Sequence, residues 1–166
     1  MDVLEAIKTR RSIRKYKKAP VPQEELEKIL DAGRWAPSAS NLQPWKFIVL
    51  SDFQVRERVA KLLTFGNFLA EAPLGIAVVV DPMVSNHPVE DGSIAAYSML
   101  LAAHAVGLGG CWLNPSHNEE ELKEILGIPK EVRLISVISL GYPDEAPSVT
   151  RRELRDVTFT NRYGSK

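Results

Sequence analysis

The chain has 166 residues with 21 Lys+Arg and 21 Asp+Glu, so its formal net charge is zero. This length predicts one domain over 1–166, and the charge balance gives no global reason to bind nucleic acid or an anionic membrane. One Cys excludes an internal disulfide, and no apolar run reaches the ~18 residues of a membrane span. Residues 1–5 are acidic and amphipathic, unlike a signal peptide, so we expect a soluble cytoplasmic domain.

The first predicted element is a helix over 2–10. Asp2 and Glu5 have the spacing of a capping box, in which each side chain satisfies a free N–H at the helix start. The apolar residues that follow at helical spacing are Val3, Leu4 and Ile7.

The pattern of apolar residues, caps and breakers predicts an alternation of helices and strands along the rest of the chain. The first half predicts a helix over 22–33, a polar loop over 37–44, a strand over 45–50 and a helix capped by Ser51 or Asp52 that reaches Leu63. A strand over 74–80, buried on both faces, then leads through a loop over 81–91 to a mostly buried central helix over 92–106. The last predicted elements are a short strand over 111–113, a helix over 119–126 with Asn118 as its cap, and a strand over 132–140. The class is therefore α/β or α+β.

The tail from 141 shows no clear period, and periodicity leaves the order and direction of the strands open. We consider that the segment of about 143–166 lies on a partner subunit rather than on its own core.

The balanced charge is a sum of local blocks. Residues 8–18 carry seven basic side chains and no acid, and Arg151, Arg152 and Arg155 lie near the other end. Within the first block, Arg10–Arg14 puts three guanidiniums and a hydroxyl within five residues, which suits a phosphate. On spacing alone, a solvated basic turn is the favoured alternative.

Residues 37–45 put two hydroxyls and two amides between two prolines, just before a strand. Such a loop suits the edge of a planar heterocycle, and an ordinary turn that satisfies its own backbone is an equal alternative. The run 107–110 lacks dinucleotide-motif spacing and either stops a helix or lets backbone approach a flat ligand.

Other reactive residue types point to no catalytic centre. The three histidines match no metal-ligand spacing, and Cys111 among apolar neighbours is interpreted as a buried structural thiol. No nucleophile elbow or phosphate-binding Walker loop is present. An enzyme with this sequence would therefore take its reactivity from a cofactor.

Four segments together resemble one family. They are Arg10–Arg14, Ala36–Trp45, Asp91 with the Ala-rich helix into Gly107–Trp112, and Gly141–Pro143 with a late Arg pair. In this order they are similar to the nitroreductase family of FMN-dependent NAD(P)H oxidoreductases, over nearly the whole chain. The resemblance implies an α+β fold with a central mixed or antiparallel sheet flanked by helices, and a homodimer with two FMN sites at its interface.

The resemblance also implies roles for individual residues. Phosphate and ribityl contacts are implied for Arg10, Arg11, Ser12 and Arg14, with Arg151 and Arg152 closing on the phosphate. Flavin contacts from the other subunit are implied for Pro37, Ser38, Ala39, Ser40, Asn41 and Gln43. Contacts along the flavin edge are implied for Gly110, Cys111, Trp112, Leu113 and Asn114, the last with its N–H near flavin N5.

Two positions depart from the family pattern. Pro115 stands where many relatives have Gly and offers no N–H for a bond to flavin O4. Val149 stands where relatives often have a Lys, two residues before the Arg. Trp112 and Phe65 are candidate stacking walls for a substrate, with core packing as the alternative for each.

The implied activity is ping-pong hydride transfer from NAD(P)H through FMN to nitroaromatic, quinone or related acceptors. The alternatives are a specialised flavin enzyme of the same family and a flavin-binding redox sensor or store without substantial turnover. No metal is expected. The physiological acceptor and the choice between NADH and NADPH stay open.

Overall fold

The computed structural model describes residues 1–115 and 117–165. Its helices are α1 Val3–Thr9, α2 Gln23–Arg34, α3 Phe53–Leu62, α4 Phe68–Glu71, α5 Pro88–Ala105 and α6 Glu119–Leu126. Its strands are β1 Trp45–Leu50, β2 Leu74–Val80, β3 Gly109–Leu113 and β4 Arg133–Gly141. Short 3₁₀ turns cover Ala39–Asn41 and Leu154–Asp156.

The four strands form one sheet in the order β1-β2-β4-β3, and each neighbouring pair is antiparallel. The pairing of β1 with β2 runs from Trp45↔Val80 to Leu50↔Gly75. A bulge between Val78 and Val79 interrupts the pairing of β2 with β4. The predicted α+β fold with helices around a central sheet is confirmed, and the sheet is antiparallel throughout.

Helices cover both faces of the sheet. Ile76 and Val78 of β2 pack into a core with α2 and α5, whereas Ala77 and Val79 pack into a second core with α3, α4 and α6. Successive side chains of a strand point to opposite faces, so a strand inside such a three-layer arrangement is apolar at every position. This burial explains why β2 is a continuous apolar run, as predicted.

Helix α5 starts earlier than predicted. Residues 88–91, predicted as loop, form its first turn, because Pro88 suits a helix start and the dipole favours the acids Glu90 and Asp91 there. Its interior is buried as predicted, with Ala95, Ala96 and Met99 fully enclosed. However, Ile94 and Tyr97 face outward with about two fifths of their surface exposed (40% and 42%).

Several other boundaries differ from the prediction. The four-residue α4 was not predicted, and β3 begins two residues early, at Gly109. Asn118 precedes α6, but its side chain makes no cap and instead donates to the Leu62 carbonyl at 2.5 Å. Gly33 lies inside α2 rather than stopping it, and a Cβ there would lie 2.8 Å from Cγ of Met99, so the glycine permits close packing of α2 on α5.

The apolar stripe of α1 does not enter the core of its own chain. Val3, Leu4 and Ile7 are 67%, 63% and 47% exposed, and Ala6 is the buried residue of the helix. One half of the predicted capping box forms, since the Asp2 side chain accepts the N–H groups of Leu4 and Glu5. Among the helices of the described residues, none combines the length and apolar character needed to cross a bilayer.

Candidate functional site

The basic segment, residues 10–18, starts along the outer edge of β3 and continues beside residues 142–144. Ile13 N–H donates to the Gly110 carbonyl at 3.1 Å, and Ser12 and Gly110 form a parallel bridge. A Cβ on Gly110 would lie 2.7 Å from the Ser139 carbonyl oxygen and 2.8 Å from Cδ2 of Leu100, so glycine is required there. The sheet edge therefore holds Ser12 in a defined position.

Two of the three arginines in this segment, Arg10 and Arg14, form no ion pair with another described residue. Arg10 is half-buried, and its Nε is enclosed with no hydrogen-bond acceptor among the described residues. Arg14 is exposed and lies 5.9 Å from the centre of the Phe68 ring. Neither forms an ion pair with an acid in residues 1–115 or 117–165. A buried donor without an acceptor is costly, so this site is suited to an anion.

Arg11 has a different role from its neighbours. Its Nη1 donates to the carbonyls of Lys8 and Arg10, at 2.7 and 2.8 Å. Both lie at the end of α1, where helix carbonyls lack partners. The Arg11 side chain therefore caps the helix.

Cys111 lies beside the same cluster. Burial raises the pKa of its thiol, while the charges of Arg14 and Arg10 and a hydrogen bond with Ser12 oppose that rise. The thiol is 3% exposed and therefore stays protonated and shielded at neutral pH. Ser12 pairs with Gly110, the residue before Cys111, so the thiol lies next to the basic segment. The interpretation of Cys111 as a structural thiol agrees with its burial.

The loop over 37–44 has an unusual backbone. Ser40, Asn41 and Gln43 all have positive φ angles, of 49°, 57° and 51°. The Ser38 hydroxyl accepts the N–H of Gln43 at 2.9 Å, and the Ser38 carbonyl accepts the N–H of Asn41. Left-handed backbone at non-glycine residues costs energy and persists only when the surroundings hold it. Strain of this kind is concentrated at functional sites.

A buried carboxylate holds this loop. Asp91 is 2% exposed, and its Oδ1 accepts the N–H of Ala39 at 3.0 Å while its Oδ2 accepts the Ser85 hydroxyl at 2.6 Å. Ser85 in turn accepts the N–H of His87. The resemblance includes Asp91 but implies no role for it; its signal in the sequence is a pair of acids, Glu90 and Asp91, at the start of a helix that is otherwise almost uncharged.

The two groups lie at opposite ends of α5. Thr9, next to the basic segment, bonds through Oγ1 to Nε2 of His104 in the last turn at 2.7 Å, whereas Ala39 bonds to Asp91 in the first turn. Thirteen residues separate His104 from Asp91 in sequence, and at 1.5 Å per residue this is about 20 Å along the helix. One chain therefore does not bring the loop and the cations together.

The remaining predicted residues lie in three places. Trp112 is half-buried and packs against two core clusters, and Leu113 is buried. Exposed Asn114 and buried Pro115 end β3, where a pocket of about 180 Å³ also contains Val89.

Phe65 is 89% exposed, so its ring is not packed in the core of this chain. Arg151 and Arg152 lie in an exposed tail, where Nη1 of Arg151 donates to the Thr150 carbonyl at 3.0 Å. No hydrogen bond or ion pair within the described ranges joins these two arginines to the basic segment. Pro37 is exposed beside the loop. Among the described residues, no three His, Cys, Asp or Glu side chains form a potential metal site.

Comparison with known proteins identifies the family. The model of the nitroreductase family matches residues 7–83 and 64–142. The chain belongs to the nitroreductase family. A relative from Methanothermobacter thermautotrophicus, provisionally named NADH dehydrogenase/NAD(P)H nitroreductase, is 44% identical over 162 residues, covering 94% of this chain and 84% of the relative.

Solved structures of nitroreductase-family proteins have the same fold. An FMN-dependent nitroreductase from Clostridium difficile superposes with a TM-score of 0.90 at 34% identity, covering 97% of this chain and 100% of that one. A provisionally named nitroreductase from Desulfovibrio desulfuricans, solved in complex with FMN, gives a TM-score of 0.89 at 32% identity, with 98% of both chains covered. The resemblance inferred from four motifs is thus confirmed.

Proposed function

We propose that this nitroreductase-family chain is an FMN-dependent oxidoreductase that uses NAD(P)H to reduce nitroaromatic, quinone or related acceptors in a ping-pong cycle. The observation that carries the proposal is the enclosed, unpartnered Nε of Arg10 beside Ser12 and Arg14 at the glycine edge of β3. The relatives support it, since one is named an NADPH-flavin oxidoreductase and another was solved with FMN. Bound FMN would supply the redox chemistry by accepting a hydride and passing it to the acceptor.

The arginine cluster would hold the phosphate of FMN. A phosphate monoester carries close to two negative charges at neutral pH, and guanidiniums bind it through paired N–H donors. Among the described residues neither Arg10 nor Arg14 forms an ion pair, and Nε of Arg10 has no acceptor, so both guanidiniums are candidates for this role, with the Ser12 hydroxyl as a third donor. Arg11 is committed to capping α1, so its contribution is to hold the segment. Arg151 and Arg152 are further phosphate ligands if the exposed tail closes over the site.

The loop over 37–44 would line the flavin of a second copy. Its neutral hydroxyl, amide and backbone groups suit the edge of a heterocycle, and its strained conformation is held by Asp91. Because about 20 Å of α5 separates the loop from the cations of its own chain, a complete site needs the loop of a partner. We infer that two copies form a homodimer with two such sites.

The surface of the chain supports dimerisation. The α1 stripe is exposed, Ile94 and Tyr97 are exposed on α5, and the tail has apolar side chains with no core to pack on, Tyr163 being 96% exposed. Exposed apolar side chains in this number favour an interaction surface. We propose that the tail, about 143–166, packs on the partner subunit.

The β3 strand would pass along the flavin edge from Gly110 to Asn114. Buried Cys111 and half-buried Trp112 hold the strand against the core of its own chain. Trp112 packs against two core clusters, which favours a packing role, and Phe65 is exposed and stays a candidate for substrate contact. Because Pro115 has no N–H, it would contact the flavin only by packing and not as a hydrogen-bond donor.

The first experiment measures flavin binding. The purified protein, or the apoprotein after addition of FMN, should show the absorption of bound flavin, and consumption of NAD(P)H with an acceptor should follow. Arg10→Ala and Arg14→Ala should each lower the affinity for FMN by about tenfold or more. Each should lower the affinity for riboflavin, which lacks the phosphate, by much less. Failure to bind FMN would refute the proposal. Binding without NAD(P)H consumption would support the sensor or store instead.

The second experiment tests the dimer. Tyr97→Glu puts a charge on the exposed apolar side of α5, and Gln54→Glu adds the same charge on α3, across the sheet, as a matched control. Sedimentation should show a dimer for the wild type and the control and a shift towards monomer for Tyr97→Glu. The affinity for FMN should fall as the fraction of dimer falls. Full FMN affinity in a monomeric variant would contradict a site shared between two copies.

A further inference from the structure

Glu145 joins the start of the tail to the basic segment. Its Oε1 accepts the backbone N–H of Arg14 at 2.5 Å and that of Lys15 at 3.2 Å. The carboxylate belongs to a half-buried residue four positions after the end of β4, and it reaches a segment 131 residues earlier in the chain. It is therefore part of the surroundings of the arginine cluster.

This contact adds to other bonds that support the same short stretch, among them the backbone bond from Asp144 N–H to the Lys15 carbonyl at 2.9 Å. Ile13 on one side packs against Gly109 and donates to Gly110, and Tyr16 on the other is buried, with its hydroxyl bonded to the Ile13 carbonyl and the Ser139 hydroxyl. Between these two fixed residues, the N–H groups of Arg14 and Lys15 point to a single carboxylate oxygen. The direction in which the Arg14 side chain leaves the backbone is thereby set.

The charge of Glu145 alone would make it a poor neighbour for an anion. A carboxylate beside the cluster reduces its positive potential and repels a phosphate. Two N–H bonds to an ionised acceptor, however, are stronger than bonds to a neutral one and hold the backbone more firmly. The geometry thus favours a mechanical role over an electrostatic one.

We propose that Glu145 is a positioning residue, which holds the backbone at Arg14 and Lys15 so that the Arg14 guanidinium meets the phosphate of the bound cofactor. This inference rests on the proposed FMN function. It assigns Glu145 no contact with the cofactor, and its effect passes through Arg14.

The test compares the affinities for FMN and riboflavin in the full-length dimer. Glu145→Ala removes the acceptor, Glu145→Gln keeps one carbonyl acceptor without the charge, and Asp144→Ala removes a neighbouring acid whose side chain has no hydrogen bond recorded among the described residues. Glu145→Ala should lower the preference for FMN over riboflavin by about tenfold. Glu145→Gln should restore most of it, and Asp144→Ala should leave it unchanged.

Other outcomes would overturn the inference. If Glu145 acted by charge, both Glu145→Ala and Glu145→Gln would bind FMN more tightly than the wild type. If it only stabilised the fold, the Ala variant would lose FMN and riboflavin equally. In an Arg14→Ala background, Glu145→Ala should change the preference no further. Wild-type protein that binds neither flavin would refute the proposed function itself, which is a separate result.

Discussion

Replacing Asp91 by alanine tests the link between α5 and the strained loop. The carboxylate is 2% exposed and accepts two hydrogen bonds, from Ala39 N–H and from the Ser85 hydroxyl. Bonds to a charged group contribute about 1.5–3 kcal/mol each, so the upper estimate for losing both is about 3–6 kcal/mol. Because Ala39 is half-buried and water can replace its partner, we expect a loss of about 2–4 kcal/mol.

Asp91→Ala should also change the conformation of the loop over 37–44. Without the carboxylate, the bond from Ala39 N–H to α5 is lost, which should let Ser40, Asn41 and Gln43 relax from their positive φ angles. The dimer would then present a less ordered loop to the flavin of the partner, and FMN affinity should fall. Riboflavin affinity should fall by the same factor, because this loop contacts the ring system rather than the phosphate.

Urea unfolding of the apoprotein measures the stability, and fluorescence titration measures the flavin affinities. Glu90→Ala is the matched control, since Glu90 is an exposed acid in the same first turn and shares the favourable dipole interaction. A loss below about 1 kcal/mol for Asp91→Ala, equal to that of Glu90→Ala, would refute the reasoning.

Three further changes have definite expected results. Gly110→Ala should cost about 1–3 kcal/mol in urea unfolding and weaken FMN, because the new Cβ would lie 2.7 Å from the Ser139 carbonyl oxygen; unchanged stability would contradict this. Arg56→Ala should cost about 1–3 kcal/mol in the same assay, since buried Arg56 donates to two carbonyls at the end of β1, at 2.7 and 3.2 Å. Burial, then the charges of Arg10 and Arg11, lower the pKa of His104 below 6.5, so the unfolded chain binds more protons there and stability falls as pH drops through 6.5. The free energy of unfolding of His104→Gln should therefore fall less than that of the wild type as the pH drops through this range. The same pH dependence in both proteins would contradict this prediction.

Local patterns predicted most of the secondary structure. The limits of β1, β2 and α6 agree with the structure, because apolar runs bounded by Pro, Gly or Asp leave little choice to the backbone. The four-residue α4 could not be found in this way, since one turn carries no period. The start of α5 was misplaced because Pro88 is equally compatible with a loop and with the first turn of a helix.

The sequence by itself limited the class to α/β or α+β, with α+β implied by the family resemblance, and it identified the basic segment and the polar loop as candidate binding segments. These depend on residue types at short separations, where steric preference and charge act locally.

Only the tertiary structure decided which groups meet. Asp91 reaches Ala39 across 52 residues and Glu145 reaches Arg14 across 131, contacts that depend on how helices and strands pack and have no local signal. The structure also showed that the α1 stripe faces outward and that the loop and the cations lie at opposite ends of α5. Packing sets those distances, and the distance along α5 is the reason we infer a second copy.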